Sequence, residues 1–162
     1  MIQQNFGQST FLNNTWSEML VEEGDPSGEY WIGLETMHQL TKDGRYKLRL
    51  DMQARNGIWY WEEYDTFIIQ GSSLAYRMDV YGYTGNNGEI GCLFFHNGSK
   101  FATWDVDSSA NCAASYNCGW WYNVCFHTCL NCNNGNFIMR STEERSDFVN
   151  LQRANMTLIC KN

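Results

Sequence analysis

HNGSKFATWDVDSSANCAASYNCGWWYNVC, from His96 to Cys125, holds two aspartates two residues apart, three cysteines and three tryptophans. Three chemistries compete for it. In a loop, Asp105 and Asp107 can turn both carboxylates to one hard cation while backbone carbonyls complete its oxygen shell. The cysteines can instead close disulfides that staple a loop-rich fold. With Cys129-Leu130-Asn131-Cys132 just beyond, they can also offer thiolates to zinc, with His127 as a further ligand. Spacing excludes an EF-hand: counting from Asp105, the sixth residue is Ala110 rather than glycine, and the twelfth is Tyr116 rather than glutamate. Zinc is disfavoured because structural sites want four soft ligands, commonly from two C-x-x-C pairs, and only one such pair occurs.

Cysteine usage sets the compartment. The chain has seven cysteines, five of which (Cys112, Cys118, Cys125, Cys129, Cys132) crowd into one segment, as in disulfide-stapled secreted modules. An odd number leaves at least one unpaired, and the partners of Cys92, Cys118, Cys129, Cys132 and Cys160 stay open. Sequons at Asn13, Asn97 and Asn155 agree with a secretory route. The first residues, MIQQNFGQSTFLNN, lack the basic and apolar regions of a signal peptide. No apolar run approaches the roughly 18 residues of a membrane span. At 162 residues the expectation is a single domain with one core. A net charge of −7 argues against nucleic acid, whose binders neutralise phosphates with Lys and Arg.

Local patterns predict a mostly antiparallel β fold. Thr15 stands three residues before Glu18, the capping-box spacing, and predicts a short helix from Trp16 to about Val21. In RYKLRLDM, Tyr46, Leu48, Leu50 and Met52 alternate with polar residues as a half-buried strand does. Asn56-Gly57 is a hairpin signal leading into IWYWEEYDTFII. A third strand is predicted over LAYRMDVYGY, with Leu74, Tyr76, Met78 and Val80 facing one way. Beyond Gly85 the chain turns Gly-, Asn- and Cys-rich with little periodicity. The division expected is a sheet subdomain, 1–90, and a loop-rich subdomain, 91–162.

The stretches TWSEM, GEYWIGLETMHQLT, GRYKLRLDM, EEYDTF, YRMDVYGYTG, HNGSKFATWDVD, NCAASY and GWWYNVC resemble, in order, the fibrinogen C-terminal domain shared by fibrinogen, ficolins, angiopoietins and tenascins. The resemblance runs from Thr15 to about Asn131. It implies an α+β globular domain with a central antiparallel sheet, short helices and a loop-rich calcium-binding subdomain. Two departures stand out: nothing before Thr15 matches the family's N-terminal subdomain, and the family's long loop before its last strand is largely missing.

The resemblance also implies site residues. Calcium would be held, in a structural role, by Asp105, Asp107 and Ser109 with backbone oxygens of the loop. Cys112 and Cys125 match the family's disulfide pair. Tyr116 matches a tyrosine that lines an acetyl-group pocket in lectin-like members; Phe126 takes the place of the histidine beside it, and His127 follows one residue later. Trp120, Trp121 and Tyr122 read as core, and His38 and His96 as structural. No serine elbow, phosphate loop or HExxH occurs, so catalysis is not expected. The function implied is a secreted, lectin-like recognition module of innate-immunity type that binds glycans or acetylated groups. The alternative is a protein-protein or matrix-adhesion module with a vestigial sugar pocket. Oligomers are common among such lectins, although their collagen-like or coiled-coil stalk is absent from this sequence.

Overall fold

The fold, obtained as a computed structural model, describes residues 1–7, 13–107, 110–132, 137–140 and 148–162. The capping box forms as its spacing demands: Thr15 accepts the amide of Glu18, and the Glu18 carboxylate accepts the Thr15 amide. It starts α1 (Trp16–Met19). The periodic segments become β4 (Tyr46–Ala54) and β5 (Trp59–Ile69), joined through Asn56-Gly57 with Gly57 at φ 90. Core positions alternate strictly along β4, where Leu48, Leu50 and Met52 are fully buried.

The third strand, β6 (Met78–Gly85), starts later than its alternation predicts. Ser72–Leu74 instead form a 3-10 turn, and Ala75 and Tyr76 both take positive φ, which breaks the extended backbone. Tyr76 stays buried, so the apolar pattern reported burial there and not strand.

The sheet is completed by strands far apart in the chain. β1 (Gln3–Asn5), β2 (Glu23–Gly24) and β3 (Tyr30–Trp31) stand on one side, and β8 (Phe148–Cys160) sits in the middle. The order is β2-β3-β1-β8-β4-β5-β6, antiparallel throughout, and the short β7 (Ile138–Arg140) pairs with β8 off this path. The expected boundary near residue 90 is therefore crossed, because β8 returns from the loop-rich half to lie between β1 and β4. Residues before Thr15 are also integral to the sheet: Gln3 and Asn5 are fully buried and donate side-chain amides to Leu130 O, Asn5 also to Cys132 O.

An aromatic core joins the two halves. Trp31, Phe101 and Trp121 lie within 4.9 to 6.2 Å of one another by ring centroid. Both indole N–H groups find carbonyls, Trp31 at Met19 and Trp121 at Tyr76, as buried tryptophans require. The eight-residue helix α2 (Leu34–Thr41) packs on β5, where the Thr41 hydroxyl accepts the Ile69 amide and His38 Nδ1 meets Ile69 O at 2.8 Å. Of the three sequons, Asn97 turns its oxygen onto the Val80 amide and Asn155 lies mid-strand in β8, whereas Asn13 is exposed just before α1. No helix among the described residues is long and apolar enough to cross a membrane.

Gly33 opens α2 at φ 91, and a Cβ there would lie 2.6 Å from Leu20 O. Gly33→Ala is therefore expected to cost about 1 kcal/mol or more, since both backbone and space oppose it. A lowered thermal midpoint in circular dichroism would show this, and an unchanged midpoint would refute it.

Candidate functional site

His96 organises the loop half. It ends the 3-10 turn Phe94–His96, is fully buried, and satisfies both ring nitrogens on backbone. Nδ1–H donates to Trp121 O at 2.7 Å, and Nε2 accepts the amides of His127 and Thr128 at 3.3 and 3.2 Å. These partners require the neutral ring, and burial pushes its pKa down to about 4. One imidazole thus ties the Trp120-Trp121 segment to the turn that follows Cys125. A disulfide joins Cys125 to Cys112, the first residue of α3 (Cys112–Tyr116).

This double anchoring parts the residues expected to share a ligand pocket. Phe126 packs edge-on against Tyr116, with ring centroids 4.6 Å apart, and also meets Tyr122. His127 instead stacks flat on Phe95 at 3.6 Å, and its Nε2 lies 3.2 Å from Arg140 Nη1. Burial, with the Arg140 charge added, holds the His127 imidazole below its ordinary value. Tyr116 and Phe126 are together; His127 belongs to a different group.

The two aspartates serve as fasteners. Asp105 Oδ1 accepts the Trp16 amide at 2.9 Å and the Thr103 hydroxyl at 2.8 Å, pinning the start of α1 to this loop. Asp107 Oδ2 accepts the Ala113 amide at 3.1 Å near the start of α3. Ser109 lies outside the described residues. Calcium takes six to eight oxygens. Two carboxylates that already accept internal hydrogen bonds do not build such a cage by themselves.

The most elaborate polar group was not singled out from the sequence. Glu62 lies fully buried on the core face of β5 and accepts from Tyr64 OH (2.6 Å), Asn87 Nδ2 (2.7 Å) and the Cys92 amide (2.9 Å), with the Cys92 thiol at 3.3 Å. Burial pushes the Glu62 carboxyl and the Cys92 thiol both upward. Tyr64 OH in turn accepts the Leu93 amide at 3.0 Å. The alternation of β5 was the signal available, since it places Glu62 on the same face as Tyr64.

This buried network holds the segment 87–93 against the sheet and raises apolar side chains above it. Ile90 and Phe94 are 49% and 58% exposed, and Tyr81 on the edge strand β6 is 55% exposed. Ile90 and Phe94 border two adjoining clefts of about 260 and 240 Å³. The first is lined also by Tyr81, Tyr83 and Glu89, the second by Cys92, Phe95, His127 and Arg140. The result is an exposed apolar ridge with a socket on either side and charged groups at its rim.

The family model described as fibrinogen beta and gamma chains, C-terminal globular domain, matches residues 1–155. The chain belongs to this family. The match extends the resemblance at both ends, and takes in the residues before Thr15 that form β1. A tenascin from Gallus gallus is 38% identical over 122 residues, 74% of this chain. Angiopoietin-related protein 6 from Mus musculus is 37% identical over 128 residues, 77% of this chain. The solved fibrinogen-like globe domain of human ANGPTL6 superimposes with TM-score 0.86 at 31% identity, covering 99% of this chain and 77% of that one. The matched region makes up 6% of that tenascin and 27% of that angiopoietin-related protein, so the chain is similar to one part of much longer molecules.

The His96 geometry sets a pH dependence. Its ordinary value is 6.5 and its folded value about 4, so between them the unfolded chain binds a proton that the folded chain refuses. Stability is complete above pH 6.5 and falls as pH drops toward 4, by an amount on the order of 3 kcal/mol. Denaturant titrations at pH 7 and pH 4.5 should show this loss, and His96→Gln should flatten it. An unflattened profile would remove His96 as its source.

Proposed function

We propose that this chain is an extracellular recognition module that binds a protein partner, of the matrix-adhesion kind, through the ridge of Tyr81, Ile90 and Phe94. The observation that carries the reading is that apolar ridge: large side chains left exposed, yet rooted in a rigid buried network and bordered by clefts sized for a partner's side chains. Anchors of this kind dominate protein interfaces, while charged rims such as Glu89 and Arg140 set orientation. Two further points support it. Its relatives include tenascins and an angiopoietin-related protein. The disulfide and the dense cysteines suit the same oxidising compartment.

The glycan or acetyl-group reading has less behind it. Its three residues do not converge, and the Phe126 ring is spent on Tyr116. In this proposal the pocket is vestigial, and calcium at Asp105, Asp107 and Ser109 is a separate question answered by titration calorimetry with Ca²⁺.

Surface plasmon resonance against purified extracellular-matrix proteins and receptor ectodomains, paired with a glycan array, tests the proposal. Binding to a protein partner should weaken tenfold or more, about 1.4 kcal/mol, in Phe94→Asp and Ile90→Asp, and survive in Tyr116→Ala. Glycan-array or acetyl-resin binding that is lost in Tyr116→Ala and kept in Phe94→Asp would overturn it.

A further inference from the structure

The face of the sheet turned away from the core carries a polar cleft of about 780 Å³, lined by Phe6, Glu29, Gln53, Gln152 and Arg153. It shares no residue with the ridge. Strand register sets its floor: Gln53 of β4 stands opposite Trp59 of β5 on one side and opposite Arg153 of β8 on the other, and directly opposed side chains leave the same face. Their chain neighbours Met52, Ala54 and Ala154 are buried in the core, so the row Trp59-Gln53-Arg153 points outward. Phe6, just past β1, ends the row, with the Arg153 guanidinium 5.1 Å from its ring centre. Glu29 Oε1 accepts the Phe6 amide at 3.2 Å and fixes that wall.

Arg153 is the unusual member. Arg45, Arg49 and Arg77 each pair with an aspartate, whereas no carboxylate of the described residues forms an ion pair with Arg153. Its Nη2 donates to Gln4 Oε1 at 3.2 Å, and the buried Gln4 amide in turn donates to Gly28 O. A neutral amide and an aromatic ring therefore position the cation, while its Nε–H is buried without a partner. A buried donor with no acceptor carries its desolvation cost uncompensated, and an oxyanion in the cleft would relieve it.

We propose that this cleft is a saccharide site for a short, singly acidic sugar, with its carboxylate on Arg153 and a neighbouring ring on Trp59. Trp59 is 46% exposed at the other end of the row, two strand spacings or roughly 10 Å from Arg153, and offers a flat face to a pyranose. Gln53 and Gln152 hold both donors and acceptors, which suits the hydroxyl groups between. The net charge of −7 opposes a polyanion, so the sugar is one with a single carboxylate and not a sulfated chain. An acidic peptide would pair with Arg153 equally well, but would leave the row of amide and aromatic groups without matching hydroxyls and ring.

The test is an NMR titration of the ¹⁵N-labelled full chain with cellobiouronic acid, a disaccharide with one carboxylate, and with cellobiose, its neutral counterpart. The acid should shift the Nε–H signal of Arg153 and the indole N–H signal of Trp59, and bind about tenfold more tightly than cellobiose. Arg153→Gln should erase that preference. Trp59→Ala, at an exposed position that leaves the core intact, should weaken both sugars by about tenfold. Phe94→Asp and Tyr116→Ala should bind the acid as the parent chain does. Equal affinity for both sugars, no shift at either group, or loss of binding in Tyr116→Ala would each overturn the proposal. An equal response to a blocked aspartyl dipeptide, which carries the carboxylate without the sugar, would overturn it in favour of an acidic peptide.

Discussion

The structure depends on one strand. β8, the longest in the sheet, arrives from the end of the chain and is hydrogen-bonded on one side to β4 over nearly its whole length and on the other to β1. Without it the meander β4-β5-β6 and the group β1-β2-β3 would be separate sheets with open edges, and an open edge is a template for unwanted pairing. Its inward residues Leu151, Ala154 and Met156 are buried, so the same strand that joins the sheet also closes the core. The pairing is about as non-local as this chain allows. Slow formation is the expected price of that topology, because loop-closure entropy is paid before the contacts reward it.

That dependence explains what could be read from the sequence. Signals confined to a few neighbours were legible: the Thr15–Glu18 box, the alternation of β4, the turn at Asn56-Gly57. Burial was legible even where the backbone was not, as at Tyr76, whose apolar pattern was correct although Ala75 and Tyr76 leave the extended region. β1 was missed for a physical reason. Gln3, Gln4 and Asn5 have no hydrophobic alternation, and the buried amides of Gln3 and Asn5 are satisfied by a carbonyl more than a hundred residues away. The place of β8 in the sheet order is likewise absent from its local pattern.

The site followed the same rule. Motif resemblance located the Cys112–Cys125 turn but not the direction in which its side chains leave it. His96 decides that direction by accepting two consecutive amides, which sends Phe126 toward Tyr116 and His127 toward Phe95. Asp105 and Asp107, which the resemblance marks as calcium ligands, also accept hydrogen bonds that hold a helix start, a role their spacing alone does not show. The Glu62 network fell outside motif reading because a buried acid is recognised only by what surrounds it.

Glu62 has a further consequence, for how such a domain diversifies. Tyr64, Asn87 and Cys92 all hydrogen-bond to one carboxyl, so replacing any of them, or Glu62, strands a buried partner, and these four positions must change as a set. Ile90 and Phe94 face solvent on a backbone those four hold still, and surface substitutions usually stay within about 0.5 kcal/mol. Selection can therefore rewrite the exposed face at little cost while its mounting is frozen, as a fixed handle accepts exchangeable tips.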